Sequence, residues 1–145
     1  MLVKVDLSNN KLCTVANEEY DSDDSDAEED FEDLSGWGPL CESFKGSSLE
    51  EVILMDIGLS VNGVTTLADA IKLMAAVARV SVLSNPIGAE GAAALVDVYE
   101  KNPKLLTLLG IEEGVTEINF SEKKVDVGQC MVLAAELRAG RVTAA

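Results

Sequence analysis

The fold class of this chain is decided by residues 49–59, which read LEEVILMDIGL. The same spacing of aliphatic residues returns 28 residues later in VARVSVLSNPI at 77–87, and after another 28 in LLTLLGI at 105–111. The chain also opens on this pattern, with LVKVDLSNNKL at 2–12, and a weaker copy, VTEINFSEKKV, occupies 115–125. A fixed period of this length predicts stacked strand–turn–helix units that share one core.

Each copy contains a short alternating stretch that predicts a β-strand, because period-two alternation places every second side chain on one face. Strands are predicted near 3–7, 51–55, 79–83 and 116–120, with a further one at 105–111. The side chains predicted to point inward are Val5 and Leu7, Val52 and Leu54, Val80 and Val82, and Ile118 and Phe120.

Helical spacing of apolar residues follows three of these strands, at 62–75, 89–101 and 127–138, and residues 37–44 supply a helix for the first copy. The last helix is predicted to bury a stripe formed by Cys130, Met131, Ala134 and Leu137. Asn10 and Asn85 follow strands, where a side-chain amide can bond the free backbone groups of a turn. Ile57 and Lys123 stand at the equivalent positions, so we expect less regular turns there.

Acidity is concentrated in one segment. The net charge is −15, but residues 18–33 (the acidic segment) hold 11 of the 26 acids and no base. The first two copies are also separated by 47 residues rather than 28, which places an insertion at about 16–36 in a turn-to-helix loop. High charge with few apolar residues predicts that this insertion is disordered.

Two further interpretations of the acidic segment stay open. It could bind a basic partner electrostatically, with Ser22 and Ser25 as phosphorylation sites that deepen its charge. It also matches part of a helix–loop–helix calcium site, with Asp21, Asp23, Ser25 and Glu32 at ligand positions 1, 3, 5 and 12. However, Asp26 stands where that loop needs glycine.

Composition excludes several functional classes. A chain with this charge lacks the basic footprint needed for nucleic acid or anionic membranes, and no apolar run is long enough to span a bilayer. The absence of histidine removes the usual general base and metal ligand, and no catalytic, metal or cofactor site is predicted. Three cysteines without paired spacing and no secretory signal favour an intracellular, cytoplasmic protein.

The stretch SNPIGAEGAAAL at 84–95 resembles the ribonuclease-inhibitor type of leucine-rich repeat, in divergent forms found in algae and other protists. This resemblance implies an α/β solenoid, a right-handed horseshoe with a parallel sheet inside and helices outside. The expected domain covers 1–145 with four to five short repeats. Both ends lack the polar cap of such arrays, so a fragment of a longer array is one interpretation.

The outward side chains of the strands would line the concave face of such a solenoid. The predicted partner-binding residues are Glu51, Ile53, Met55, Arg79, Ser81, Leu83, Thr107, Leu109, Glu117 and Asn119. An apolar patch rimmed by charge is typical of a protein-binding site, and the alternative is that a neighbouring loop covers it.

The resulting prediction is a non-enzymatic protein-interaction module whose acidic segment adds charge. The family resemblance also implies an alternative, a GTPase-activating regulator like the Ran activator, which would use an arginine and an asparagine such as Arg79 and Asn85. A third hypothesis is an incomplete array without independent function.

Overall fold

The computed structural model describes residues 1–15 and 31–142. In chain order the elements are β1 (Lys4–Asp6), β2 (Thr14–Val15), β3 (Phe31–Glu32), α1 (Trp37–Lys45), β4 (Glu51–Ile53), α2 (Val61–Lys72), β5 (Arg79–Ser81), α3 (Gly88–Lys101) and α4 (Val127–Ala139).

Three short strands form a parallel sheet in the order β1-β4-β5. Its register places Val5 beside Val52 and Val52 beside Val80, so β4 and β5 are aligned by the 28-residue spacing of the sequence. Val52, Leu54, Val80 and Val82 are fully buried, and the prediction that they point inward is confirmed. The four helices pack side by side in chain order and close the core with these strand residues.

The predicted leucine-rich-repeat solenoid is wrong. The described residues form four helices and a parallel sheet of three strands that is neither closed nor curled, without an evident solenoid repeat. The predicted strand at 116–120 does not form, and 105–111 contributes only two isolated bridges, one parallel (Arg79 to Thr107) and one antiparallel (Ser81 to Leu109).

The sheet does not continue beyond 105–111, because side chains already accept the backbone N–H groups of this segment that a further strand would need. The Thr107 hydroxyl accepts hydrogen bonds from the N–H groups of Leu109 and Ile111, both at 3.1 Å. The Glu136 carboxylate accepts the Leu108 N–H at 3.2 Å. Gly110 then turns the chain at φ +71°, in the left-handed region that glycine adopts at little cost. A further strand would need those N–H groups free.

The prediction for the inner face of α4 is also wrong, because Cys130, Met131, Ala134 and Leu137 are exposed. The buried residues of this helix are instead Gly128, Gln129, Val132, Ala135 and Glu136. Gly128 sets this orientation, since a side chain there would overlap the Gly88 carbonyl at the start of α3. Apolar residues are spread over both faces of the helix, so its periodicity does not distinguish the two faces.

A two-stranded antiparallel hairpin, β2–β3, borders the acidic segment and pairs Thr14 with Glu32. The Glu32 carboxylate accepts hydrogen bonds from the Ser60 hydroxyl and, at 3.0 Å, from the Asn62 amide at the start of α2. These bonds hold the pKa of Glu32 below its usual value. Residues 31–36, which composition assigned to a disordered insertion, are therefore tied to the core. The remainder of that insertion, with Ser22, Ser25, Asp21 and Asp23, lies outside the described residues.

Candidate functional site: the open face of the sheet

A row of charged side chains crosses the sheet on the face opposite the core. The parallel register places Glu51 of β4 between Lys4 of β1 and Arg79 of β5. The Glu51 carboxylate lies 3.2 Å from the Lys4 ammonium and 3.3 Å from the Arg79 guanidinium nitrogen Nε. Arg79 also donates to the Gly110 carbonyl at 3.2 Å. The three side chains are thus held in one arrangement before any partner arrives.

Two apolar side chains of β4 and its extension, Ile53 and Met55, lie next to this charged row and are half-buried. The Met55 N–H donates to the Ser8 hydroxyl at 3.0 Å, which ties this part of the face to the end of β1. We call Glu51, Ile53, Met55 and Arg79 the open patch. It combines accessible apolar surface with a fixed charged edge, which is the composition expected of a small protein-binding surface.

The other half of the predicted face is covered. Ser81, Leu83, Thr107 and Leu109 were predicted to contact a partner, and all four are buried. The turn at Gly110 lies against β5, so closely that a Cβ built on Gly110 would stand 3.0 Å from the Ser81 Cβ. The Thr107 hydroxyl is directed at backbone N–H groups rather than outward. The prediction of partner contacts is therefore wrong for these four residues, and the covering-loop alternative describes them.

Glu117 and Asn119 are exposed, but they do not extend the open patch, because no strand forms at 116–120. Asn119 instead accepts the Ser121 N–H at 2.9 Å in a local turn. The segment after it is bonded to the turn that follows β5, where the Ser84 hydroxyl donates to the Lys123 carbonyl at 2.7 Å.

The two turn amides behave differently. Asn85 is 1% exposed, and its side-chain oxygen accepts the N–H groups of Ile57 and Leu59, both at 3.0 Å. Its NH₂ group donates to the carbonyls of Leu54, Val82 and Leu83 at 2.7–3.1 Å. The turn at Ile57, which has no amide of its own, is thus completed by Asn85. Asn10 is exposed, and within residues 1–15 and 31–142 its amide bonds the Leu7 and Ser8 carbonyls of its own turn.

These bonds bear on the arginine and asparagine that a GTPase regulator would need. The Arg79 guanidinium is engaged by Glu51 and Gly110, and Asn85 uses both its amide oxygen and its NH₂ group within the core. Neither side chain is presented for a bound nucleotide, so the geometry does not favour that activity.

Sequence reasoning missed a buried polar group on α4. Gln129 donates to the carbonyls of Val82 and Asn85, both at 2.9 Å, and Glu136 bonds Leu108 as described above. Burial raises the pKa of the Glu136 carboxyl. Gln129 and Glu136 are seven residues apart, two helical turns on one stripe. Polar side chains at that spacing ordinarily mark a solvent-facing stripe, so the spacing of residues could not identify this stripe as buried.

Arg141 hydrogen-bonds the C-terminal end of α3. Its guanidinium lies 3.9 Å over the Tyr99 ring and donates to the carbonyls of Tyr99, Asn102 and Leu105 at 2.6–3.1 Å. Carbonyls at a helix C-terminus lack hydrogen-bond donors within the helix, and this arginine supplies donors to them.

The cysteines offer little reactivity where they are buried. Burial raises the pKa of both Cys13 and Cys41 to about 12, which keeps them as neutral thiols, and Cys130 is exposed. Within residues 1–15 and 31–142, no group of three or more cysteine, aspartate or glutamate side chains is arranged to hold a metal ion. In the same part of the chain, no helix has the length and apolar character needed to cross a membrane.

Comparison of this chain with protein-family models, with curated proteins and with solved structures gave no match in any of the three.

Proposed function

We propose that this chain is a non-enzymatic protein-interaction module and that the open patch contacts its protein partner. The observation that carries this proposal is the placement of Ile53 and Met55, two apolar side chains left accessible beside the Lys4–Glu51–Arg79 row. Apolar groups supply most of the binding free energy at such a surface, while a fixed charged edge sets orientation and specificity.

The size of the open patch limits the kind of partner. Because the β5 half of the face is covered, the open patch comprises four residues, whereas a standard interface holds about 20–30 residues on each side. A short extended segment, with one apolar residue flanked by charges of both signs, fits this surface better than a large rigid domain. We therefore propose a peptide-like segment of a protein bound with modest affinity.

Three further parts of the proposal rest on sequence. The acidic segment would attract a basic protein as a secondary contact, because it holds 11 acids and no base. We propose an intracellular, cytoplasmic location, since the three cysteines show no paired spacing. No cofactor is proposed. We also propose no interaction with nucleic acid or membranes, because a chain with a net charge of −15 lacks the basic surface that they require.

A displayed library of random peptides tests the proposal, because it offers many extended segments to the open patch at once. Peptides are selected on the wild-type chain and then compared on Ile53→Asp, which places a charge in the open patch, and on Leu73→Asp. Leu73 is a matched control, because it is 62% exposed and lies at the end of α2, away from the sheet. The proposal expects sequences that bind the wild type and Leu73→Asp equally and lose at least about tenfold affinity on Ile53→Asp. Selected peptides that ignore Ile53→Asp would refute it.

A further inference from the structure

The terminal strand β1 carries an edge whose hydrogen-bonding groups point away from the sheet. The Val3 carbonyl accepts a hydrogen bond from the Glu51 N–H, and the Leu7 N–H donates to the Ile53 carbonyl. The odd-numbered residues along and beside β1 therefore direct their backbone groups at β4. Because these directions alternate along a strand, the N–H and C=O groups of Lys4 and Asp6 face the opposite side. In the described part of the chain, no strand pairs with that side.

An apolar groove of about 400 Å³ lies beside this edge. Its apolar lining comes from β1 and the residues before it, from α1, and from the segment before β4: Met1, Leu2, Val5, Leu40, Phe44 and Leu49. Met1 and Leu2 are 97% and 69% exposed. An unprotected edge with adjacent apolar surface is a place where another strand can pair.

The opposite end of the sheet cannot supply that strand from a second copy. There, Glu136 and Thr107 already accept the N–H groups of Leu108, Leu109 and Ile111. Head-to-tail stacking would therefore place the open edge of one copy against an edge whose donors are occupied.

The charge pattern of β1 fits a second β1 instead. We infer that two copies of this chain associate through antiparallel pairing of their β1 strands about a two-fold axis at Val5. In this register Lys4 stands opposite Asp6 of the second copy, and Asp6 opposite its Lys4, so each interface holds two ion pairs. Lys4 and Asp6 also direct their N–H and C=O groups away from β4, so each Lys4–Asp6 pair across the interface is a hydrogen-bonded pair of the antiparallel ladder. Val5 forms the central pair, and the two apolar grooves meet on the helix side.

Both charges are available for this contact. The backbone N–H and the hydroxyl of Ser8 lower the pKa of Asp6, which keeps its carboxylate ionised. The Lys4 side chain is 58% exposed although it pairs with Glu51, so its ammonium can also meet a second carboxylate.

Charge reversal with mixing tests this arrangement. Lys4→Asp places like negative charges at both cross-strand positions of a homodimer, and Asp6→Lys places like positive charges there. Each variant alone should dimerise at least about tenfold more weakly than the wild type. A one-to-one mixture of the two restores both ion pairs, so it should form a heterodimer. Lys101→Asp is the matched control, because Lys101 pairs with Asp97 on α3 and its reversal should leave dimerisation unchanged.

The mass of each sample is measured by light scattering from about 1 μM to about 1 mM. A wild type that stays monomeric throughout, or that grows into open-ended assemblies, would overturn the inference. So would single variants that dimerise like the wild type. If a variant fails to fold, Val5→Cys in a Cys130→Ser background gives a second measurement. Facing Cβ atoms of a non-hydrogen-bonded pair are about 4.5–5.5 Å apart, near disulfide range, so oxidation should link two copies. Thr65→Cys is the control, because Thr65 is exposed on α2. An equal yield of linked copies with Thr65→Cys, or no link with Val5→Cys, would also overturn the inference.

Discussion

Replacing Asn85 by alanine should remove a large part of the stability of this chain. The side chain is fully buried and bonds five backbone groups, which join the turn after β4 to the turn after β5. Alanine leaves the N–H groups of Ile57 and Leu59 buried without an acceptor. Each unsatisfied donor costs about 1–3 kcal/mol, so the free energy of unfolding should fall by about 2–6 kcal/mol. Domains of this size have about 5–15 kcal/mol in total.

Urea unfolding followed by circular dichroism measures this loss. With a denaturant slope of about 2 kcal/mol per molar, the midpoint should fall by about 1–3 M, or the cooperative transition should disappear. Asn10→Ala is the control, since Asn10 is an exposed turn amide that bonds two carbonyls of its own turn, and it should cost less than about 1 kcal/mol. If Asn85→Ala and Asn10→Ala shift the midpoint equally, the assignment of Asn85 as the link between turns is refuted.

Two further predictions concern α4. Gly128→Ala should destabilise the chain by about 3 kcal/mol or more, because the new methyl group overlaps the Gly88 carbonyl. Gly38→Ala on α1 is the control, since its methyl group meets open space and should stabilise the chain by up to about 1 kcal/mol. Thermal unfolding compares the two variants, and equal effects would contradict the packing of α4 on α3. Burial raises the pKa of Glu136 in the folded chain, so the folded state binds this proton more tightly and stability should fall as pH rises from the unfolded value of about 4.5 through the folded pKa. Glu136→Gln should flatten that decline in melting temperatures measured from about pH 5 to about pH 8, and an unchanged slope would show that Glu136 is not its source.

Alternation and the 28-residue spacing predicted the inner residues of the sheet and the place of each helix, because those features depend on which side chains leave water. Val52, Leu54, Val80 and Val82 are buried as predicted, and all four predicted helices form close to their expected bounds. The end of the sheet could not be predicted in this way. Thr107 occupies the correct position in the spacing, but its hydroxyl bonds two backbone N–H groups and stops the ladder.

The candidate site was predicted in part, and its failures have the same origin. Leu83 and Leu109 have the same pattern as Ile53, but the turn at Gly110 folds the chain against β5. That turn depends on a positive φ and on side-chain bonds from Thr107, which hydrophobic spacing does not encode. On α4, the spacing of apolar residues predicted the wrong face, because the buried face contains Gly128, where a side chain does not fit, and the polar residues Gln129 and Glu136.

Site-specific photo-crosslinking tests directly whether a protein partner contacts the open patch. Ile53→p-benzoylphenylalanine and Leu73→p-benzoylphenylalanine are expressed separately in cells that produce the chain, irradiated, and analysed for covalent products. We expect a product with a protein other than this chain from position 53, which lies in the open patch, and none from the exposed position 73 at the end of α2. Equal products from the two positions, or none from position 53, would contradict it.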